Sequence, residues 1–229
     1  MMTRVKLCGL MSEHDVALAV EAGADALGFV TEYPVPVPWN LERERAAELV
    51  AAAPPFATTV AVVGGSVETM VAIARRVRPH VLQLHGDESL EEVQAVCQAL
   101  AGTGTRAVKA LRVDAETGEA MFAVAQPAQA ARELASSGIA GLVVDSKTAS
   151  RPAGTGVAVD WAMAAEVAAA VPLPFILAGG LTPENVAQAV RHVRPYAVDV
   201  ISSVEREPGV KDGALMRRFV RAAKEALDA

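Results

Sequence analysis

Eight apolar runs of strand length, each followed by a stretch with helical periodicity, constrain this chain most. The runs are Val5–Leu7, Ala26–Phe29, Thr58–Val63, Val81–Leu84, Arg106–Leu111, Gly141–Val144, Phe175–Ala178 and Val198–Ile201. Most are continuous rather than alternating, as expected of parallel strands covered on both faces. Their starts lie about 20 to 35 residues apart, room for one crossover helix each. Eight such units in 229 residues predict an α/β chain folded as a single (β/α)8 (TIM) barrel over residues 1–229. The competing topology is an open doubly wound sheet, which usually carries a GxGxxG turn after its first strand. Cys8-Gly9-Leu10-Met11-Ser12 lacks that turn. No linker, low-complexity tract or charge block divides the chain.

Punctuation places the helices. Ser12-Glu13-His14-Asp15 opens the first, with Val16, Ala19 and Val20 on one face and Gly23 just past its end. Leu41–Ala53 stops at Pro54-Pro55, Ser66–Val77 starts on a serine cap, and Ser89–Leu100 begins near a capping box. Gly118–Ser136 contains Pro127, which predicts a kink or two pieces. Asp160 caps Asp160–Ala170, Thr182 and Pro183 open the next helix, and Asp212–Leu227 closes the chain.

Composition narrows the function. A net charge of -6 argues against non-specific nucleic-acid binding, which needs a basic face. It leaves room for a small anion held by backbone groups. Of the two cysteines, Cys97 reads as helix packing, and no CxxC or Cys/His cluster suggests a metal. There is no signal core and no apolar run of the ~18 residues a membrane span needs. A cytoplasmic, reduced protein is expected, with Cys8 a free thiol.

In a barrel the loops after the strands share one face, so strand ends carry the chemistry. Cys8 then meets Gln83 and His85 after the fourth strand and Asp145 after the sixth. Gly179 and Gly180 run into a helix start, Ser202 and Ser203 follow the eighth strand, and Gly154 and Gly156 lie after the sixth. Glycines let backbone N–H groups approach an oxyanion closely, which suits phosphate. Cys8 as base and Asp145 as acid would move a proton between substrate atoms, isomerase chemistry that needs no metal or redox cofactor. Lys6 is expected on the opposite face of its strand. Each residue also has a structural reading: Cys8 as a small packed hydrophobe, Asp145 as a loop cap, His85 as a hydrogen-bonded wall, the glycine pair as a tight turn.

Together the motifs resemble phosphoribosylanthranilate isomerases of tryptophan biosynthesis. They are Val5-Lys6-Leu7-Cys8-Gly9-Leu10, Glu21 through Phe29, Leu82-Gln83-Leu84-His85-Gly86, Val144-Asp145, Gly154-Thr155-Gly156 through Trp161, Leu177 through Val186, and Val198 through Asp212. The resemblance implies a cofactor-free Amadori rearrangement of N-(5-phosphoribosyl)anthranilate by a monomer or homodimer. Asp145 would protonate the ring oxygen, and Cys8 would take the proton from the adjacent sugar carbon. Gly154, Gly156, Gly179, Gly180, Ser202 and Ser203 would hold the phosphate. Trp39, Gln83 and His85 are candidate walls.

Two departures stand out. Trp39 occupies the place of an arginine that contacts the anthranilate carboxylate in the family, with Lys147, Arg151 or Arg112 as replacement cations. Ser203 stands where the family has glycine. The alternatives are a related phosphosugar isomerase with a different aglycone and a non-catalytic phosphosugar-binding barrel.

Overall fold

The computed structural model describes residues 2–147 and 159–227. Eight parallel strands close into one barrel in the order β1 to β8. They are β1 Arg4–Leu7, β2 Ala26–Val30, β3 Thr58–Val63, β4 Val81–Leu84, β5 Arg106–Asp114, β6 Leu142–Lys147, β7 Phe175–Leu177 and β8 Ala197–Val200. All eight expected runs are strands, with ends moved by a few residues. β5 and β6 extend furthest, through Asp114 and Lys147. The barrel closes where β1 meets β8, with Lys6 opposite Asp199 and Leu7 opposite Val200.

The helices are α1 Glu13–Glu21, α2 Arg43–Ala52, α3 Val67–Val77, α4 Leu90–Ala99, α5 Pro127–Ala135, α6 Trp161–Ala170, α7 Val186–Val193 and α8 Gly213–Lys224. Ser12 and Ser89 form full capping boxes with Asp15 and Glu92. Ser66, Asp160 and Asp212 accept from backbone N–H groups at their helix starts.

Three expectations change. Val20 is exposed, so only Val16 and Ala19 of its trio face inward. Pro127 does not kink a long helix; it is the first residue of a short one, where its missing N–H costs nothing. Thr182 and Pro183 do not start α7. Thr182 and Asn185 bond each other's backbone, Asn185 Oδ1 accepting from Thr182 N, and the helix begins at Val186. A small antiparallel pair, β9 Glu205–Glu207 and β10 Val210–Lys211, follows a 3-10 turn at Ser202–Val204.

Strand alternation divides the core into two layers. Outward residues such as Leu7, Phe29, Leu84, Val144 and Val198 pack under the helices with Leu49, Met70, Ile73 and Phe219. Inward residues are smaller: Val60 and Val62 on one side of the lumen, Ala110, Val143 and Ala178 on the other. The inner rows also carry Lys6, Gln83 and Asp199, all buried. Among the described residues no helix is long and apolar enough to cross a membrane.

The opposite end of the barrel is stitched by Asp25. Its Oδ2 accepts from Val5 N at 2.8 Å, its Oδ1 from Lys224 Nζ at 3.1 Å, and its carbonyl from Thr58 N. Asp25→Ala is expected to cost about 1 to 2 kcal/mol in urea unfolding with unchanged m-value. The far rim should keep its chemistry, because Asp25 lies at the N-terminal end of the strands and does not line the pocket.

Candidate active site

A pocket opens at the C-terminal end of the strands. Its lining includes Cys8, Trp39, Gln83, His85, Asp145, Gly179, Gly180, Asp199, Ser202 and Ser203. Gly154, Gly156 and Arg151 lie outside the described residues.

Cys8 follows β1, its N–H donating to Val200 O at 2.9 Å. Its thiol is buried against Gly28 of β2. A β-carbon there would sit 2.6 Å from Cys8 Sγ and 3.0 Å from Lys6 Cε, closer than side chains tolerate. Gly28 therefore makes the space in which thiol and lysine stand side by side.

Lys6 corrects the expectation that it points away. Residues 6 and 8 are two apart and share the inner face; it is Leu7 that points outward. Lys6 Nζ donates to Asp199 Oδ2 at 2.6 Å, and both side chains are buried. Burial pushes the Cys8 thiol above its ordinary value, and the Lys6 ammonium pulls the other way. Burial alone would lower the Lys6 pKa, but Asp199 and Cys8 raise it, so the lysine stays charged.

Asp145 lies on the inner row of β6, three strands from β1 around the barrel. His85 Nε2 lies 3.3 Å from Asp145 Oδ2. The Gln83 amide nitrogen, a donor only, lies 3.1 Å from His85 Nδ1. Nδ1 therefore accepts, and Nε2 carries the proton toward Asp145. Tyr33 donates to His85 O at 2.9 Å and meets the imidazole edge-on at 6.3 Å. Lys109 ties the following turn, donating to Gly86 O at 2.9 Å and pairing with Glu88 at 2.7 Å.

The late loops form the far wall. Gly179 and Gly180 both have positive φ, +82° and +62°. A β-carbon on Gly179 would come within 2.8 Å of Ser146 N and Val159 Cγ2, so packing alone demands glycine there. Ser203 takes no left-handed conformation, and its hydroxyl donates to Leu181 O at 2.6 Å, joining the two loops.

Trp39 is buried, and its Nε1 donates to Glu205 Oε1 at 2.6 Å. Lys211, fully buried, donates to the same oxygen at 2.6 Å and to Ile201 O at 3.0 Å. Arg112 continues the inner row of β5 as the Cα partner of Asp145 and pairs with Asp87. Lys147 ends β6.

Sequence reading left Lys6, Asp199, Tyr33, Glu205 and Lys211 out of the site. The available signal was a charge inside an apolar strand run, as in Val5-Lys6-Leu7 and Val198-Asp199-Val200. Such a charge must find a buried partner.

Two outcomes are expected. Glycine-to-alanine changes usually stabilise by about 0.4 to 1 kcal/mol where the backbone allows it. Gly28→Ala should instead destabilise by about 1 to 3 kcal/mol in urea unfolding, because the new methyl overpacks the thiol. Alkylation of Cys8 by iodoacetamide, followed on its own peptide by mass spectrometry, should accelerate with pH through a midpoint above that of free cysteine. Lys6→Met should move that midpoint higher; a downward move would show that the lysine does not stabilise the thiolate.

Comparison with known proteins bears on the fold and the family. The family model described as N-(5'phosphoribosyl)anthranilate (PRA) isomerase matches residues 5–222. The N-(5'-phosphoribosyl)anthranilate isomerase of Haloferax volcanii is 46% identical over 226 residues, 98% of this chain and 95% of that protein. The crystal structure of phosphoribosyl anthranilate isomerase from Thermotoga maritima superposes with a TM-score of 0.81 at 30% identity, covering 97% of this chain and 99% of that one. A phosphoribosyl anthranilate isomerase in complex with reduced 1-(o-carboxyphenylamino)-1-deoxyribulose 5-phosphate superposes with a TM-score of 0.78 at 29% identity, covering 97% and 99%. With a matching model over nearly its whole length and a relative at 46% identity, the chain belongs to the N-(5'-phosphoribosyl)anthranilate isomerase family.

Proposed function

We propose that this protein isomerises N-(5-phosphoribosyl)anthranilate to 1-(2-carboxyphenylamino)-1-deoxyribulose 5-phosphate, with Asp145 as general acid and Cys8 as general base. The observation that carries the reading is one pocket lined both by the Cys8 thiol, just after β1, and by the Asp145 carboxylate of β6, three strands away around the barrel. An Amadori rearrangement needs a proton delivered to the ring oxygen and another removed from the neighbouring carbon. Two groups on separate strands suit that demand better than one.

The steps follow. Asp145 gives its proton to the ribose ring oxygen, and the C–O bond breaks as the nitrogen lone pair forms an iminium. The iminium acidifies the adjacent C–H. Cys8, as thiolate, takes that proton, and the bonding pair moves to give the enolamine, which tautomerises to the ketone. Lys6 supports the thiolate by charge. The His85–Gln83 pair orients the carboxyl. Gly179, Gly180, Ser202 and Ser203 line the end of the pocket assigned to phosphate, where backbone donors favour an anion.

A second reading rests on Trp39. Its N–H is already used by Glu205, so this wall offers a ring face and no cation. An isomerase that keeps the acid, the base and the phosphate loops but takes a different aglycone fits that wall too.

The purified protein incubated with phosphoribosylanthranilate should form product, followed by fluorescence. Cys8→Ser and Asp145→Asn should each lower kcat by about 10²- to 10⁴-fold with unchanged circular dichroism. Near-full activity in both variants would sink the assigned roles. Phosphosugar binding without turnover in the unaltered protein would select the second reading.

A further inference from the structure

The Asp199 carboxylate is half used. Oδ2 is held by Lys6 at 2.6 Å, while Oδ1 is buried and has no hydrogen-bond partner among the described residues. Leaving a buried acceptor unmade costs about 1 to 3 kcal/mol, more for a charge. The fold does not need that oxygen, because the ammonium of Lys6 is already matched through Oδ2. β8 is flanked by β1 and β7. Ile176 of β7 and Ala178 after it carry no donor. On the inner row of β1 the Lys6 ammonium is engaged by Oδ2, leaving only the weak S–H of Cys8, the group that must lose its proton to act as a base. Asp199 does line the pocket, next to Cys8.

We propose that Asp199 binds substrate, its Oδ1 accepting a hydrogen bond from the sugar hydroxyl on the carbon that Cys8 deprotonates. The inference rests on the reaction proposed above. Elimination among the ligand's groups supports it. The phosphate and the aglycone carboxylate are anions and would be repelled. The imine nitrogen and ring oxygen belong to the side of Asp145. The sugar hydroxyls are the remaining donors. Lys6 touches Asp199 and interacts with Cys8, so the hydroxyl nearest the thiol is the one within reach of Oδ1. One hydrogen bond at that carbon would fix its C–H toward sulfur, a gain in orientation rather than in bulk affinity. Lys6 is then a positioning residue, holding the acceptor on one side and the thiolate on the other.

A ligand-and-variant cycle tests this. The probes are a product analogue whose ketone is reduced to a hydroxyl, and its counterpart with hydrogen in place of that hydroxyl. Dissociation constants are measured for the unaltered protein, Asp199→Asn, and the double variant Lys6→Met/Asp199→Leu, which removes the ion pair without orphaning either charge. In the unaltered protein, deleting the hydroxyl should weaken binding about 10-fold or more, the worth of a hydrogen bond to a charge. The ratio should fall below about 3-fold in the double variant and part of the way in Asp199→Asn, which keeps an uncharged amide partner, whatever happens to absolute affinity. A purely structural Asp199 would shift both probes alike and leave the ratio intact. An unchanged ratio in either folded variant, or no discrimination by the unaltered protein, overturns the proposal. Turnover of phosphoribosylanthranilate by the unaltered protein is scored separately. Turnover with an unchanged ratio removes only the role of Asp199, and absent turnover removes the reaction itself.

Discussion

The Lys6–Asp199 pair joins the first strand to the last at the seam where the barrel closes. Buried ion pairs are costly, and apolar residues of similar volume often serve stability as well or better. Stability is therefore a poor reason for this pair. Its location gives a better one, since the thiol of Cys8 stands on the same inner face, two residues along. The cation offsets the desolvation that burial imposes on a thiolate, and the carboxylate keeps the cation charged. Gly28 completes the arrangement by giving up its side chain, without which neither sulfur nor lysine stem would fit. Small residues on the other inner rows leave the mouth open above this charged floor.

The fold was legible because parallel strands buried on both faces must be apolar along their length. That pattern needs no partner to be recognised. Helix starts were legible for a similar reason, since a cap acts within three residues. Ser12, Ser66, Ser89, Asp160 and Asp212 all do what their local sequence announces. Errors arose where two local rules competed. Pro127 can break a helix or begin one, and only the irregular segment before it decides. Thr182-Pro183 has the look of a helix start, but Thr182 and Asn185 satisfy each other first and delay the helix to Val186. The β9–β10 pair is too short to carry a pattern.

The site was legible to the extent that strand ends announce it. Cys8, Gln83, His85 and Asp145 follow from counting strands, because a barrel turns strand order into a ring of neighbours. What lies behind them was not legible. The Trp39–Glu205 contact spans 166 residues, and Glu205 is matched by Lys211 only through the bend of β9 and β10. No local spacing encodes such a contact. Lys6 was a different failure: the two-residue period already placed it beside Cys8.

The two departures from the family pattern have unequal consequences. Ser203 costs nothing in backbone conformation, and its hydroxyl gains a bond to Leu181 O that glycine lacks, so it reinforces the loop it was expected to disturb. Trp39 changes the character of a wall. Its N–H points to Glu205, whose charge is answered by Lys211, so what Trp39 brings to the pocket lining is aromatic surface. Such a face favours a ring in offset or edge contact and offers a carboxylate nothing. On the proposed reading, an aglycone that is both ring and carboxylate must be divided around the mouth. Trp39 can meet the ring, while the carboxylate needs a donor elsewhere on the rim, since Arg112, beside Asp145 in register, is already paired with Asp87. A bidentate arginine would have met both ring and charge from one side. On the proposed reading, dividing the two contacts leaves Cys8 and Asp145 untouched and lets the wall that meets the ring vary independently of the group that meets the charge.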